Sequence, residues 1–304
     1  MSKSNNRVCF ISMTNLYLCP YLQRYVSLIN CGYDIIYWNR HSIEESSHDR
    51  NANLIPFNYS MNETSTRSQK AVGYIRFSCF LWKILCRKKY KTVVFLHAVA
   101  GTILTPVLLF KYRHKFIIDV RDFSYDHNVI YAGIQALLFR YALKVVISSK
   151  KYTEFLPKRD YLLVHNSISI SDDIRSKFKL KEISKTKIRI SYIGLIRFYD
   201  ELYKFIDAFK NDNRFELNFI GKGANELTQY CTNNNVTNVK LIDVFPPDQT
   251  LEHYMNCDII FNAYGNGTPL LNYALSNKLY YSAMLYIPII VTPKTYMAEI
   301  VKEN

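Results

Sequence analysis

The fold is indicated most clearly by residues 268–281, which read TPLLNYALSNKLYY, and by the apolar run IPIIV that follows at 287–291. A polar loop containing Thr268 leads into a predicted short helix that carries Asn277 and Lys278, and a buried parallel strand follows. The free backbone N–H groups and the positive dipole end of such a helix N-terminus attract an anion. Lys278 adds a full positive charge. The segment therefore predicts a phosphate site in an α/β domain.

The length and composition predict a packed protein with two domains. The chain has 304 residues, of which 49% are hydrophobic and 21% are charged. That is more chain than one small core needs, and it is too apolar for a disordered protein. No apolar run reaches the ~20 residues that span a bilayer, and residues 1–10 lack the apolar core of a signal peptide. We therefore expect a cytoplasmic protein.

The cysteines and histidines show no pattern of a metal site. The seven cysteines are an odd number and form no Cys-x-x-Cys pair, which is typical of reduced thiols. The seven histidines have no ligand spacing such as His-x-x-x-His. We expect neither a structural metal ion nor a disulfide framework.

The positive charge is concentrated in the first half of the chain. Residues 1–168 contain 23 lysines and arginines against 10 aspartates and glutamates, whereas residues 169–304 contain 16 against 15. A general compositional bias would load both halves alike, so the asymmetry indicates a local anionic partner. A membrane surface, nucleic acid and a phosphorylated ligand all fit this charge.

Short apolar runs alternate with helical stretches along the first domain, residues 1–168. Buried strands are predicted at residues 8–13, 33–38, 92–96, 115–120, 144–148 and 161–165. Helices are predicted at residues 21–30, 68–86, 98–112 and 130–143. Continuous apolar strands between helices are typical of a parallel sheet that is covered on both faces.

The polar, charged segment 169–187 interrupts this pattern and is predicted to be a linker. The alternation restarts in residues 188–304. Strands are predicted at residues 188–193, 215–220, 239–242, 258–262 and 289–292, and helices at 201–210 and 249–256. The expected fold class is therefore α/β, with two doubly wound, Rossmann-like domains that face one another across a cleft.

Three motifs resemble those of the large retaining group of GT-B glycosyltransferases, which includes capsule and O-antigen enzymes. Residues 277–281 and the strand after them resemble its donor-nucleotide motif, Asn-Lys-Leu-(Phe/Tyr)-Glu before an apolar strand. Residues 145–168, which contain VVISSK, FLP and LVHNSI, resemble the end of its first domain, and SYIGLIR (191–197) resembles the start of its second domain. The motifs occur in the order of that group, and the resemblance covers most of the chain.

The resemblance implies a GT-B fold and a retaining, metal-independent glycosyltransferase. In such enzymes fixed cations stabilise the leaving nucleoside diphosphate, and here Arg197 and Lys278 would be the catalytic cations. The absence of an Asp-x-Asp motif agrees with this mechanism. The other expected donor-binding residues are Gly194, Gly221, Lys222, Thr268, Asn277 and Tyr281.

Polar residues that follow strands of the first domain are candidates for the acceptor side, because ligands bind at the carboxyl edge of open α/β sheets. The resemblance implies that His97 and Asp122 take part in catalysis by contacting the transferred sugar or an acceptor hydroxyl. Asn15, His97 and Arg121 are the expected acceptor-side residues. A structural role for His97, and an ion pair of Arg121 with Asp119 or Asp122, are the alternatives.

The sequence departs from the group in the second domain. Glu is usual where Tyr281 and Tyr273 stand, and Gly is usual before the last strand, where this chain reads LYIP (285–288). A phenol bonds a ribose hydroxyl more weakly than a carboxylate does. The chain also stops at Asn304, before the last strand and helices that usually complete this domain, so we expect either a second domain that is short at its C-terminus or a truncated sequence. A non-catalytic GT-B homologue and a GT-B-like nucleotide-sugar epimerase remain alternatives.

A basic and aromatic stretch at residues 67–91 is the most concentrated source of charge in the first domain. As a helix it would lie among lipid headgroups, with its apolar face inserted and its cations on anionic lipid. The expected membrane contacts are Phe77, Phe80, Lys83, Arg87, Lys88 and Lys89. A core helix with a solvated basic end is the alternative. We expect a peripheral protein on the inner face of the plasma membrane.

The expected partners are a nucleotide-sugar donor and a polyprenyl-linked or oligosaccharide acceptor of bacterial surface polysaccharide synthesis, with no cofactor. Nucleic acid is not expected, because the basic residues form no recognisable binding module. A dinucleotide-dependent oxidoreductase is disfavoured, since the first strand runs into NLYLCP (15–20) without a Gly-x-Gly-x-x-Gly motif.

Overall fold

The computed structural model describes residues 7–47, 49–62, 65–167, 170–179 and 186–303. The chain divides into two compact units, Met1–His165 and Asn166–Asn304. Each unit is built around its own parallel β-sheet. The predicted fold class, α/β with two Rossmann-like sheets, is confirmed.

The first unit contains a sheet of seven parallel strands among the described residues. In chain order the strands are β1 Val8–Ser12, β2 Tyr33–Asn39, β3 Ala52–Asn58, β4 Thr92–Phe95, β5 Phe116–Val120, β6 Lys144–Ile147 and β7 Leu162–Leu163. Their order across the sheet is β3-β2-β1-β4-β5-β6-β7. The strand order therefore reverses between β1 and β4, which is the point where open α/β sheets bind ligands.

Helices connect these strands, together with 3₁₀ turns at Leu16–Leu18 and Lys150–Glu154. The helices are α1 Leu22–Val26, α2 Arg67–Arg87, α3 Ala98–Ile103, α4 Thr105–Lys111 and α5 Val129–Tyr141. A reciprocal capping box formed by Thr66 and Gln69 starts α2, and the Asn128 side chain caps α5. Both long helices therefore begin at a side chain that satisfies free backbone N–H groups.

Four elements of the first unit differ from the sequence-based prediction. The predicted buried strand 161–165 is the two-residue strand β7, and both of its residues are exposed. Strand β3 was not predicted, because as an edge strand it has mostly half-buried or exposed residues and includes Pro56. The predicted helix 98–112 is two helices, since Pro106 in the first turn of α4 has no N–H to continue the helix before it. The predicted helix 21–30 is helical only over Leu22–Val26.

The second unit contains a sheet of five parallel strands in the described part of the chain. The strands are β8 Ile188–Ile193, β9 Phe215–Ile220, β10 Val239–Ile242, β11 Ile259–Asn262 and β12 Ile289–Val291, in the order β10-β9-β8-β11-β12. The helices are α6 Asp172–Lys179, α7 Tyr199–Phe209, α8 Thr228–Asn233, α9 Thr250–Met255, α10 Pro269–Tyr273, α11 Asn277–Leu285 and α12 Tyr296–Glu303. Short 3₁₀ turns lie at Ala224–Leu227 and Pro247–Gln249.

The predicted linker, residues 169–187, is partly helical. Residues 169 and 180–185 lie outside the described residues, and α6 lies between them. Phe178 of α6 is 4% exposed and belongs to the apolar cluster that also contains Tyr254 and Leu285. This part of the segment is therefore packed onto the second unit.

Candidate functional site

Two glycine turns meet at the carboxyl edge of the second sheet. Gly194 follows β8 and Gly221 follows the paired strand β9. Their φ angles are +116° and +138°, which side chains rarely adopt. A Cβ added to Gly221 would lie 1.9 Å from the Gly194 carbonyl oxygen. Only glycine lets these turns approach so closely. Their own N–H groups are used within the sheet, where Gly194 donates to the Ile220 carbonyl and Gly221 to the Ile242 carbonyl, each at 2.8 Å.

Lys278 directs its ammonium group to the same turns from the start of α11. Its Nζ donates a hydrogen bond to the Tyr264 hydroxyl at 2.8 Å and lies 4.1 Å from the centroid of the Tyr192 ring. A Cβ on Gly194 would be 3.6 Å from the same Nζ. The side chain is buried, and this burial, with the charge of Arg197, lowers the pKa of Lys278 to about 7. The cation is thus held in place but poorly solvated.

Two tyrosines surround the Lys278 ammonium. The Tyr264 hydroxyl accepts its hydrogen bond, and the Tyr192 hydroxyl donates to the Leu195 carbonyl at 2.8 Å. Tyr264 therefore presents an oxygen lone pair to the ammonium, and Tyr192 presents its aromatic face. This arrangement fixes the position of a lysine side chain that is otherwise flexible.

Arg197 is exposed on the loop after Gly194, and its charge acts on Lys278, Tyr192 and Tyr264. In the described part of the chain, no ion pair joins Arg197 or Lys278 to a carboxylate. Two cations next to the glycine turns, with no acidic partner among the described residues, are electrostatically suited to a diphosphate.

The other predicted donor-site residues lie on the loops and helix starts of the second unit. Lys222 is exposed directly after Gly221, and Asn277 is the exposed first residue of α11. The cap residue Ser276 directs its hydroxyl to Asn262 rather than to the helix, so no side chain caps the first turn of α11. Thr268 lies at the start of α10, where its hydroxyl accepts a bond from the Leu271 N–H.

Tyr281, which stands where the resembling group has Glu, packs into the second unit. Its ring stacks on that of Tyr254, with centroids 4.3 Å apart, and it contacts the apolar cluster that contains Leu285. Burial raises the pKa of the Tyr281 phenol. Packing accounts for this side chain, and a contact with ribose stays a prediction.

In the first unit, a cleft of about 400 Å³ opens at the carboxyl edge of the sheet, and His97 lines it. The Nδ1 atom of His97 accepts the Met13 N–H at 3.4 Å. Burial, with the charge of Arg40, lowers the pKa of His97 to about 4. The imidazole is therefore neutral at pH 7 with its proton on Nε2, so it can donate a hydrogen bond but cannot act as a base through that atom.

Arg121 is buried in a two-pronged ion pair. Its Nε and one terminal nitrogen each lie 2.7 Å from an oxygen of Asp119, and the other terminal nitrogen donates to the Val164 carbonyl at 2.9 Å. This is the ion-pair alternative, with Asp119 as the partner. Asp122, one residue further on, is exposed. These contacts give Arg121 a structural role, because they link Asp119 in β5 to Val164, the residue after β7.

Asn15 is fully buried, and its amide is saturated by internal bonds. Its Nδ2 donates to Asn39 and Glu45 at 2.8 and 3.0 Å, and its Oδ1 accepts the N–H groups of Arg40 and His41 at 3.0 and 3.2 Å. With both amide protons and both lone pairs in use, the side chain joins the loops after β1 and β2.

The predicted membrane helix has its apolar face turned inward. Phe77 is 1% exposed and packs 5.1 Å from the Trp38 ring, so its prediction as a lipid contact is wrong. Phe80 is half-buried against Phe57. The repeat Gly73, Phe77, Leu81 and Leu85 every four residues carries the signal for this buried face.

The basic residues at the end of α2 and directly after it are exposed to solvent. Lys83, Arg87, Lys88 and Lys89 are exposed, and Lys88 forms an ion pair with Asp34 at 2.6 Å. Ile75 and Trp82 are also exposed, by 63% and 43%.

No helix among the described residues has the length and apolar content to cross a bilayer. The same residues contain no cluster of histidine, cysteine and acidic side chains suited to a metal ion.

Solved structures similar to this chain identify its fold. The apo lipopolysaccharide outer core galactosyltransferase WaaB aligns over 97% of this chain and 88% of its own, with a TM-score of 0.56 and 14% identity. HepE from Anabaena, in complex with UDP and glucose, aligns over 97% and 83%, with a TM-score of 0.58 and 12% identity. UDP-GlcNAc 2-epimerase from Neisseria meningitidis, bound to UDP-GlcNAc, aligns over 98% and 85%, with a TM-score of 0.56 and 10% identity.

These similarities assign the GT-B fold to the chain, as the sequence motifs predict. No protein-family model and no curated protein sequence matches it. At such low identity, the relatives define the fold and leave the chemistry to the residues of this chain.

Sequence reasoning missed Tyr264 and Arg40. Tyr264 follows β11 and Arg40 follows β2, so both stand at a carboxyl sheet edge. A position at this edge could have marked both residues as candidates. The contact of Tyr264 with Lys278 and the place of Arg40 in the cleft depend on tertiary packing, which the sequence alone does not give.

Proposed function

We propose that the chain is a glycosyltransferase that takes a sugar from a nucleotide-sugar donor bound by its second unit. The observation that supports this most is the position of Lys278. Its ammonium lies beside Gly194 and close to Arg197, and no carboxylate among the described residues pairs with it. A site that holds two such cations beside closely packed glycine turns is suited to the charge that develops on a leaving diphosphate.

In the proposed reaction, Arg197 and Lys278 bind the diphosphate through charge-assisted hydrogen bonds. As the glycosidic bond breaks, negative charge builds up on the leaving phosphate oxygen, and the two cations stabilise it. Because protein cations perform this role, the proposal includes independence from metal ions and, from the resemblance, retention of anomeric configuration. Gly221, Lys222, Thr268 and Asn277 complete the proposed donor site.

The first unit is proposed to bind the acceptor, a polyprenyl-linked saccharide or an oligosaccharide of surface polysaccharide synthesis. The neutral His97 would donate its Nε2 proton to a sugar oxygen, and Asp122 stays a proposed partner of an acceptor hydroxyl. We further propose that this unit docks on the anionic inner face of the plasma membrane. The excess of basic residues in 1–168 and the exposed Ile75 and Trp82 support this location.

A nucleotide-sugar epimerase is the second candidate, because an enzyme of that class is among the similar structures. It would use the same diphosphate site without an acceptor. Incubation of each nucleotide sugar with the protein alone separates the two: an epimerase converts the sugar while it stays on the nucleotide, whereas a transferase needs an acceptor or releases free sugar slowly to water.

Nucleotide binding is the first test of the proposal. A thermal-shift screen of UDP, GDP, ADP, CMP and dTDP, each with and without EDTA, should give one or two stabilising ligands regardless of chelator. Arg197→Ala should weaken that ligand at least about tenfold, the usual effect of losing one charge-assisted bond. Lys204→Ala is the matched control, since Lys204 is 71% exposed and pairs with Glu201. Absence of any nucleotide effect would remove the proposal.

A further inference from the structure

The cleft of the first unit contains a cation that has no acidic partner. Arg40 follows β2, and its guanidinium lies 4.4 Å from the centroid of the Trp38 ring and 5.9 Å from that of Tyr74. Its Nε is buried without a hydrogen-bond partner. No ion pair connects Arg40 to a carboxylate in the part of the chain that the structure describes. Trp38 is fully buried, so it offers the guanidinium a rigid support.

Two carboxylates on the loops around the cleft, Glu45 and Asp126, are engaged elsewhere. Glu45 accepts the Leu16 N–H at 2.8 Å and an Asn15 amide proton at 3.0 Å. Asp126 accepts the Ser124 N–H at 2.9 Å and a Gln135 amide proton at 2.9 Å. Neither carboxylate neutralises Arg40, so the positive charge remains available to a ligand.

Other groups of the cleft add donors beside Arg40. His97 offers its Nε2 proton, because Nδ1 already accepts the Met13 N–H. The hydroxyls of Thr14, Ser124 and Tyr125 belong to the same lining. A pocket with one guanidinium and several uncharged donors is chemically matched to an anion with several acceptor oxygens.

The start of α5 lies next to Tyr125, which lines the cleft, and it exposes apolar side chains. The Tyr125 ring contacts that of Tyr131 in the first turn of α5, with centroids 5.8 Å apart. The first two residues of that helix, Val129 and Ile130, are 85% and 75% exposed. Apolar side chains so exposed beside a cationic pocket suit a ligand with an anionic head and an apolar tail.

We propose that this cleft binds an anionic group of the acceptor through Arg40, and that this group is a phosphate or diphosphate ester at the head of a lipid. The inference rests on the proposed function only in naming the ligand as the acceptor. The carboxylate of an acidic sugar has the same charge and would use the same guanidinium, so the experiment includes both anions.

Trp38 provides the signal for the test, because a ligand on Arg40 changes the environment of its indole. The chain has two tryptophans, and Trp82→Phe leaves Trp38 as the only one. In that background, the fluorescence emission of Trp38 is recorded while the protein is titrated with geranyl phosphate, inorganic phosphate, glucuronate or uncharged geraniol. The nucleotide found in the screen is present at saturation, so that it occupies the second unit. Arg40→Gln removes the charge, and Arg40→Lys keeps it.

We expect geranyl phosphate to bind more tightly than inorganic phosphate, and geraniol not to bind. Arg40→Gln should weaken geranyl phosphate at least about tenfold, with partial recovery in Arg40→Lys. Arg76→Gln is the matched control, since Arg76 is exposed on α2 and does not line the cleft. Tighter binding of glucuronate than of geranyl phosphate would support the anion site and overturn its assignment to a lipid.

Equal binding of geranyl phosphate to the unsubstituted site and to Arg40→Gln, with melting temperatures unchanged, would overturn the proposal. So would binding of geraniol as tight as that of geranyl phosphate. Nucleotide binding is measured separately in each variant. A chain that binds the anion but no nucleotide would contradict the proposed function and leave the cleft assignment intact.

Discussion

Lys278 is a cation whose charge depends on what is bound beside it. Burial against Tyr192 and Tyr264 lowers its pKa to about 7, whereas 10.5 is the ordinary value. Between these pH values the unfolded chain binds the proton that the folded chain releases, so the contribution of Lys278 to the free energy of unfolding rises with pH. A bound diphosphate reverses the electrostatics, because its negative charge raises the pKa of the lysine.

Nucleotide binding should therefore take up a proton at alkaline pH. Calorimetric titrations in two buffers of different ionisation enthalpy should give an uptake close to one proton at about pH 8.5 and close to zero at about pH 6, on either side of the pKa in the free protein. Lys278→Met keeps the volume of the side chain and should abolish the uptake. An equal uptake at both pH values, or in the Met variant, would contradict this account of Lys278.

Among the elements, the proposed donor site depends on the contact between the turns after β8 and β9. The Cβ of Gly221→Ala would collide with the Gly194 carbonyl oxygen, at a φ of +138°. We expect the turns to separate, with a loss of at least about tenfold in nucleotide affinity and about 1–3 kcal/mol in the free energy of unfolding. Chemical denaturation and titration of the same samples measure both effects.

Gly133→Ala is the control for this change. Gly133 lies within α5, and a Cβ there would meet nothing within 4 Å. The substitution should increase the free energy of unfolding by about 0.5–1 kcal/mol, because Gly in a helix costs that much relative to Ala. Nucleotide affinity should not change. A Gly221→Ala protein that binds nucleotide as tightly as Gly133→Ala would show that the turns do not form the site.

The elements that the sequence predicted best include three strands of the second unit. Strands β8, β9 and β10 have the predicted bounds, since most of their residues are apolar. Prediction failed where the signal depended on neighbours. Strand β3 is fixed by its pairing with β2. For Phe77 the repeat of every four residues was present in the sequence, but the contact with Trp38 decides that this face of α2 covers the sheet. The aromatic support of Lys278 depends likewise on Tyr264, which is 14 residues away in sequence.

At the scale of the molecule, basic and apolar groups share one surface of the first unit. Lys83, Arg87 and Lys89 are exposed along or just after α2, and so is Trp82. Phe110 on the adjacent helix α4 is 93% exposed. Helices α2 and α4 contact one another, so these side chains belong to one helical layer. This surface replaces the buried Phe77 as the proposed membrane contact.

Liposome sedimentation tests that surface. Binding should need anionic lipid and fall as salt rises, since each Lys or Arg near such a surface contributes about 1 kcal/mol. The double variant Arg87→Glu, Lys89→Glu should weaken it strongly. Lys88 is left unchanged because it pairs with Asp34. Lys204→Glu with Lys302→Glu changes the net charge equally on the second unit and should have little effect. Equal binding to neutral and anionic liposomes would reject membrane docking by charge.

The proposed catalysis by fixed cations of the second unit is measured as turnover of the nucleotide sugar that the binding screen selects. Release of its nucleotide is measured for the unsubstituted protein, Lys278→Met and the surface control Lys204→Met, all in EDTA. We expect Lys278→Met to lower the turnover rate about 100-fold or more, as the loss of one preorganised electrostatic contact does, while the control is unchanged. Turnover close to the unsubstituted rate in a folded Lys278→Met protein would contradict the account.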